Sequence, residues 1–254
     1  MVEDNEVNQL VARATVTKFG YAVDVVSDGA AAVAATSRTS YDAVLMDCHM
    51  PVMDGFDATR IIRNRDGMRN IVPIIAMTAG ALDGDRERCL AAGMDDYLSK
   101  PVDAAELEAT LAHWVPEFPI QAAQALPPQP LALTGGRPPA LDPARLAILR
   151  DLGPDDGLGL LPAATEAFRK DVPSRLAALR AAVNDGGPAL AQAAHALKGS
   201  AANIGATVVE ALCGQLEEMG ATGKPGGGPQ LVSQVEAELV QVNAELDTAL
   251  EAAP

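Results

Sequence analysis

Between Pro116 and Pro143 the chain carries 8 of its 18 prolines, together with Gly135-Gly136 and few charges. A proline-rich stretch stays extended and resists packing, so no single core can run through it. The 254 residues are therefore read as two folded parts joined by a linker: 1–115, a linker over 116–140, and 141–254. A linker of about 25 residues spans roughly 25–30 Å as a flexible coil and up to ~75 Å when extended. The flanking domains can meet without being forced to.

The two sides differ in kind. Before the linker, short β-branched runs alternate with helical patterns. Residues Ala22–Val26, Ala43–Asp47, Ile71–Met77 and Asp96–Leu98 read as strands, and 5–19, 29–38, 56–65, 83–92 and 103–114 as helices. Runs such as Val44-Leu45-Met46 and Ile71-Val72-Pro73-Ile74-Ile75 are apolar throughout, as in strands buried on both faces. The alternation predicts a doubly wound α/β domain with a parallel sheet, whose ligands sit at the carboxyl ends of the strands. After the linker no strand signal is present. Leu161, Thr165, Phe168, Val172, Leu176, Leu179 and Val183 recur at helical spacing, as do Val232, Val235, Leu239, Val242, Leu246 and Leu250. Two more amphipathic stretches, 188–204 and 206–220, lie between them, which predicts an all-α four-helix bundle.

Charge narrows the function. The formal net charge is −15, with 10 basic and 18 acidic residues in 1–115 and 9 and 16 in 116–254. Both halves are acidic, which argues against a nucleic-acid partner. No run reaches the roughly 18 apolar residues of a membrane span, so no membrane contact is expected. Glu3, Asp4 and Glu6 stand where a secretory signal would be basic. Cys48, Cys89 and Cys213 are odd in number and widely spaced. Reduced thiols and a cytoplasmic location are the simplest reading.

Acidic residues gather at strand ends. Asp47 closes its strand, Glu3-Asp4 precedes the first helix, Thr78 ends the third strand run, and Lys100-Pro101 follows the fourth. Converging carboxylates repel one another unless a cation joins them, and an all-oxygen site suits Mg²⁺. A hydroxyl and an ammonium beside it would hold the oxygens of a phosphoryl group. Spacing alone leaves other readings open, since an Asp at a strand end is as readily a turn or helix cap.

The segments Glu3-Asp4-Asn5, Val44-Leu45-Met46-Asp47, Met50-Pro51-Val52-Met53-Asp54-Gly55, Met77-Thr78-Ala79 and Ser99-Lys100-Pro101 resemble, in order and spacing, the motifs of response-regulator receiver domains. The phrase Glu-Asp-Asn-Glu-Val-Asn-Gln at 3–9 is most similar to receivers fused to hybrid sensor kinases. The resemblance implies a flavodoxin-like fold with Asp47 as phosphoacceptor. It implies that Glu3 and Asp4 hold Mg²⁺ with Asp47 and the main-chain carbonyl of His49. Thr78 and Lys100 would contact the phosphoryl oxygens, Tyr97 would move with Thr78, and the Lys100-Pro101 bond would be cis. One departure stands out. Family members carry about five apolar residues before the acidic pair, whereas here only Met1 and Val2 do. The expectation is a truncated first strand, two partly unpaired ladders and an open apolar slot, with truncation of a longer protein as the reading taken.

In the second half, His195 lies in Ala194-His195-Ala196-Leu197-Lys198-Gly199-Ser200. At about 100° per residue, Leu190, Leu197, Ala201 and Ile204 form the apolar stripe and His195 points away from it, toward water. Gly199 leaves the ring without bulky neighbours and Lys198 brings a cation at i+3. A neutral imidazole is a usable nucleophile near neutral pH. An ordinary surface histidine is the alternative, but it leaves a mid-helix glycine, which costs about 1 kcal/mol relative to Ala, unexplained. The string, with Gly205 ten residues after the histidine, resembles histidine-phosphotransfer (HPt) domains over roughly 141–251. That resemblance makes His195 the phosphorylated residue and Lys198 its electrostatic partner. Gln215 is the candidate to orient the ring.

Two acceptors on one chain predict a phosphorelay: from an upstream sensor histidine kinase to Asp47, to His195, and on to the receiver domain of a downstream response regulator. There is no nucleotide-binding glycine motif beside a catalytic Asn, so no ATP-dependent kinase is expected. Asp47-Cys48-His49 lacks the second Asp of an aspartate-based hydrolase. A docking module with an inactive receiver and a working HPt domain is the competing reading.

Overall fold

The computed structural model describes residues 1–66, 72–78, 83–115, 139–153, 158–223 and 227–252. In the first part, helices α1 (Glu6–Lys18), α2 (Gly29–Arg38), α3 (Gly55–Asp66), α4 (Asp83–Ala92) and α5 (Ala104–Trp114) alternate with strands β1 (Val44–Asp47), β2 (Ile74–Thr78) and β3 (Asp96–Ser99). The strands are parallel in the order β1-β2-β3, with Asp47 opposite Met77 and Thr78 opposite Ser99. Every residue of β1 and β2 is buried. The alternation of side chains along a strand explains this. Val44, Met46, Ile74 and Ala76 pack toward α2, α3 and α4. Leu45, Ile75 and Met77 pack with Val16 of α1 and Leu107 and Leu111 of α5. The fold is the doubly wound α/β arrangement that the sequence pattern predicts.

The start of the chain bears out the truncated first strand and corrects one expectation beside it. Val2 is buried and forms isolated parallel bridges to both Val26 and Met46. Its N–H donates to Leu45 O at 2.8 Å and its carbonyl accepts from Asp47 N at 3.0 Å. On the other side Glu3 N donates to Val26 O and Val26 N to Met1 O, both at 3.0 Å. Two residues thus carry the central position of the sheet. The run 22–26 pairs only at Val26 and forms no strand, because a ladder extends no further than the partner beside it.

The second part contains α6 (Pro143–Asp151), α7 (Leu161–Ala182), α8 (Gly187–Ile204), α9 (Thr207–Thr222) and α10 (Gly228–Glu251). The last four match the expected bundle, and α6 is an addition. It is capped by Asp142, whose carboxylate accepts from Ala144 N at 2.9 Å, with Pro143 at its first position. Phe168, Leu179, Leu197, Val209, Leu216, Val235 and Leu246 fill the core. At Gly220 a Cβ would lie 2.4 Å from Ala191 N, so glycine is what lets α9 lie so close to α8. The expected linker falls mostly on 116–138, outside the described residues.

The two parts pack on each other through α1. Val7 and Val11 are buried in the same cluster as the core of the helical part. Asn8 Oδ1 accepts from Asn203 Nδ2 at 2.6 Å, Glu6 pairs with Lys170 at 2.8 Å, and Lys18 pairs with Asp151. The two ion pairs are exposed and contribute little. The apolar contact and the buried amides carry the association.

Phe168 is fully buried in the middle of α7. Phe168→Ala is expected to destabilise the helical part by about 3–5 kcal/mol, measured as a lower urea midpoint by circular dichroism.

Candidate functional site

At the carboxyl edge of the sheet the structure brings together most of the residues singled out above. Glu3 and Asp4 follow the short segment beside β1, and Asp47 ends β1. Gly55 opens α3 so close to Asp47 that a Cβ there would meet the Asp47 carbonyl oxygen at 2.1 Å. Thr78 ends β2 and is buried. Its carbonyl accepts from Lys100 N at 2.7 Å, which ties the Lys100 backbone to the same edge. The Lys100-Pro101 bond is cis. Tyr97 lies on β3 at the rim and is exposed.

Electrostatics dominate the site. Lys100 Nζ stands 2.5 Å from Glu3 Oε2 and 2.7 Å from Asp47 Oδ2. Burial by itself would lower the lysine pKa; the two carboxylates outweigh it and raise it. Burial pushes the Glu3 carboxyl up to about 7, against the pull of Lys100. It raises Asp4 as well, opposed by Arg175. Asp47 Oδ1 accepts from His49 N at 3.1 Å, and Asn8 Nδ2 donates to Glu3 Oε1 at 2.8 Å. Carboxylate oxygens of Glu3, Asp4 and Asp47 all lie within 4.8 Å of one another. A cluster of hard oxygen donors with more negative charge than Lys100 alone can offset fits a divalent cation such as Mg²⁺.

His195 occupies the facing wall, in α8. Its ring meets the ring of His49 edge-on, with centroids 5.1 Å apart. The side chain is 18% exposed rather than fully in water, because the first part packs against this face of α8. Gly199 serves that packing: a Cβ there would stand 3.3 Å from Asn8 Nδ2. The stripe of Leu190, Leu197, Ala201 and Ile204 is buried as expected. Asp47, Lys100, His49, His195 and Lys198 line one cleft of about 1470 Å³ between the two parts.

The ring's partner differs from the expected one. His195 Nδ1 lies 2.8 Å from Glu217 Oε1, and Lys198 Nζ donates to Glu217 Oε2 at 3.1 Å. Gln215 is exposed, two residues earlier on α9 and on another face. Glu217 is half-buried, which raises its pKa, but its bonds to His195 and Lys198 prevail and leave it lowered. A carboxylate can only accept, so it favours the proton on Nδ1, and no hydrogen bond to Nε2 is found among the described residues. Sequence reasoning missed Glu217 and also Arg175, which reaches from α7 to within 3.7 Å of Asp4.

Comparisons with known proteins agree with this division. Residues 1–112 match the family model described as the response regulator receiver domain, and residues 164–252 match that of the Hpt domain. The chain is a receiver domain followed by an Hpt domain. Similar proteins are hybrid histidine kinases and sensor proteins. A probable histidine kinase of rice is 37% identical over 46% of this chain and 15% of its own length. A sensor protein of Pseudomonas syringae is 40% identical over 44% of this chain and 13% of its own length. The chain thus spans a small fraction of the relatives it matches. Among solved structures, the receiver domain of a Pseudomonas aeruginosa sensor histidine kinase, crystallised with a magnesium ion in its active-site cleft, is 54% identical. It covers 46% of this chain and 94% of that one, with a TM-score of 0.43. A receiver joined to an Hpt domain supports a role in phosphorelay signalling. Among the described residues no helix is long and apolar enough to cross a membrane.

The neutral His195 ring is expected to carry its proton on Nδ1, and Glu217→Ala to shift it toward Nε2–H, read from ¹⁵N imidazole chemical shifts. Because the Glu217 pKa is lowered from its ordinary 4.5, the stability this carboxylate adds is present above that value and is lost as pH falls through the lowered one. Glu217→Gln should remove that part of the acid-side loss.

Proposed function

We propose that this chain relays a phosphoryl group from an upstream histidine kinase to Asp47, from Asp47 to His195, and from His195 to an aspartate on the receiver domain of a downstream response regulator. The observation that carries this reading is the single cleft shared by Asp47 and His195, with Lys100 and Lys198 on its walls. In the middle step His195 Nε2 attacks the phosphorus of the Asp47 acyl phosphate. The P–N bond forms as the P–O bond breaks, and the Asp47 carboxylate leaves into the hold of Lys100. The Nδ1 proton stays on the ring, where Glu217 offsets the positive charge of the phosphorylated imidazole. Lys198 lies beside the new phosphoryl oxygens. Thr78 and Lys100 hold the phosphoryl group while it is on Asp47, Tyr97 moves with Thr78, and Gly199 keeps the approach to His195 open.

Glu3, Asp4 and Asp47, with the main-chain carbonyl of His49, are the groups that would hold Mg²⁺. Bound there, the ion would neutralise charge on the transferring phosphoryl oxygens. The segment 116–140 acts as a tether, which places the two domains at an effective concentration near ~1 mM and favours transfer within one chain.

The test uses acetyl phosphate and Mg²⁺ with peptide mass spectrometry. The wild-type chain should acquire a phosphoryl adduct on His195, and Asp47→Asn and His195→Gln should each abolish onward transfer to a regulator. A His195 adduct that persists in Asp47→Asn would sink the relay and leave the receiver as a docking module.

A further inference from the structure

His49 meets His195 ring to ring across the cleft, and the proposed transfer uses nothing of His49 beyond its main-chain carbonyl. Position 49 is pinned by its own loop. Its N–H donates to Asp47 Oδ1 at 3.1 Å. The preceding residue, Cys48, is tied on both sides: its N–H donates to Met77 O and its carbonyl accepts from Gly55 N, each at 3.2 Å. The His49 ring has a support of its own in Phe56, which is buried in the first turn of α3. Those two rings stand at 72° with centroids 6.0 Å apart, and Arg88 of α4 lies over Phe56, 4.9 Å from its centroid. His49 in turn meets the His195 ring at 75°, with centroids 5.1 Å apart. Arg88, Phe56 and His49 thus form a row of receiver side chains that ends on the histidine of the Hpt domain.

An imidazole that is to attack phosphorus must be held in position and also in tilt. Glu217 supplies the first constraint by fixing the Nδ1 corner of the ring at 2.8 Å. One hydrogen bond leaves the ring plane free to swing about that corner. A second ring set nearly perpendicular to it removes this freedom, because edge-to-face contact is favoured over other tilts. We infer that His49 is a positioning residue for the transfer, its ring setting the angle at which His195 Nε2 approaches the phosphoryl group on Asp47. The inference rests on the reading of Asp47 and His195 as donor and acceptor. Formation of the P–N bond as the P–O bond breaks needs the attacking nitrogen aligned with the leaving oxygen, and small misalignments cost rate steeply. His49 is suited to this task because it stands two residues from Asp47 and its N–H is bonded to the same carboxylate. The group that orients the acceptor is therefore fixed to the loop that carries the donor. The role is one of shape: it calls for a flat ring at position 49 and moves no proton there.

The experiment uses the full chain with acetyl phosphate and Mg²⁺, rapid quenching and peptide mass spectrometry. The rate at which label appears on His195 is divided by the standing amount of Asp47 phosphate, which removes any effect of a substitution on loading. His49→Ala should lower this quotient about three- to tenfold, and His49→Phe, which keeps a flat ring, should recover most of the loss. A second readout needs no phosphate. In histidine-labelled, unphosphorylated chain, the His195 ring-proton resonances, identified by their disappearance in His195→Gln, should lose their ring-current displacement in His49→Ala and regain it in His49→Phe. Circular dichroism checks that both variants are folded. Equal quotients in wild type and His49→Ala, a His49→Phe chain as slow as His49→Ala, or His195 resonances indifferent to position 49 would each overturn the inference alone. A wild-type chain that loads Asp47 and never labels His195 would overturn the relay reading along with it.

Discussion

A lysine ammonium held between two buried carboxylates anchors the receiver site. Lys100 bridges Glu3 and Asp47, and its ammonium opposes the rise that burial imposes on the Glu3 carboxyl. The contact links three separate stretches of chain: the segment beside β1, the end of β1 and the turn after β3. It thereby sets the distance between the phosphoacceptor candidate and the acidic pair. The arrangement still carries surplus negative charge. That surplus suits a divalent cation, and Arg175 of the Hpt domain stands 3.7 Å from Asp4 at its border.

Helix α1 has two jobs because it has two apolar sides. Val16 faces the sheet, and Val7 and Val11 face the Hpt domain. Its amide side chains do the polar work between them. Asn5 caps the helix and reaches Ser200 and Asp171, and Asn8 links Glu3 to Asn203. The residues beside the acidic pair thus share one hydrogen-bonded network with Ser200 and Asn203 of α8. A displacement of α1 would change the environment of the acidic pair and of this face of α8 together.

Much of this was legible in the sequence. The apolar runs of β1 and β2 signal burial on both faces, and Asp47, Thr78 and Lys100 mark strand ends by position alone. The stripe on α8 places His195 off the core face by simple periodicity. Where the reading erred, contact across space decided. The run 22–26 has strand composition, yet it pairs only where Val2 reaches. Positions 195 and 215 lie equally far from the turn at Gly205, which makes Gln215 a natural candidate, but the helix crossing brings Glu217 to the ring instead. The positive charge of Lys198, three residues after His195, is the one sequence signal that favours a carboxylate there.

The sequence by itself determined the two kinds of domain, the order of their elements and the identity of the two acceptor candidates. The domains and element order follow from local periodicity and caps, which neighbouring residues specify, and the two acceptor candidates from the resemblance of their motifs to receiver and Hpt domains. Only the tertiary structure decided that His195 is partly covered, that Glu217 holds its ring, and that Arg175 touches Asp4. The first and last depend on which surfaces two separately folded domains turn toward each other, and the second on how α8 and α9 cross within one of them. Spacing along the chain carries no record of that choice, because a proline-rich joint leaves it open.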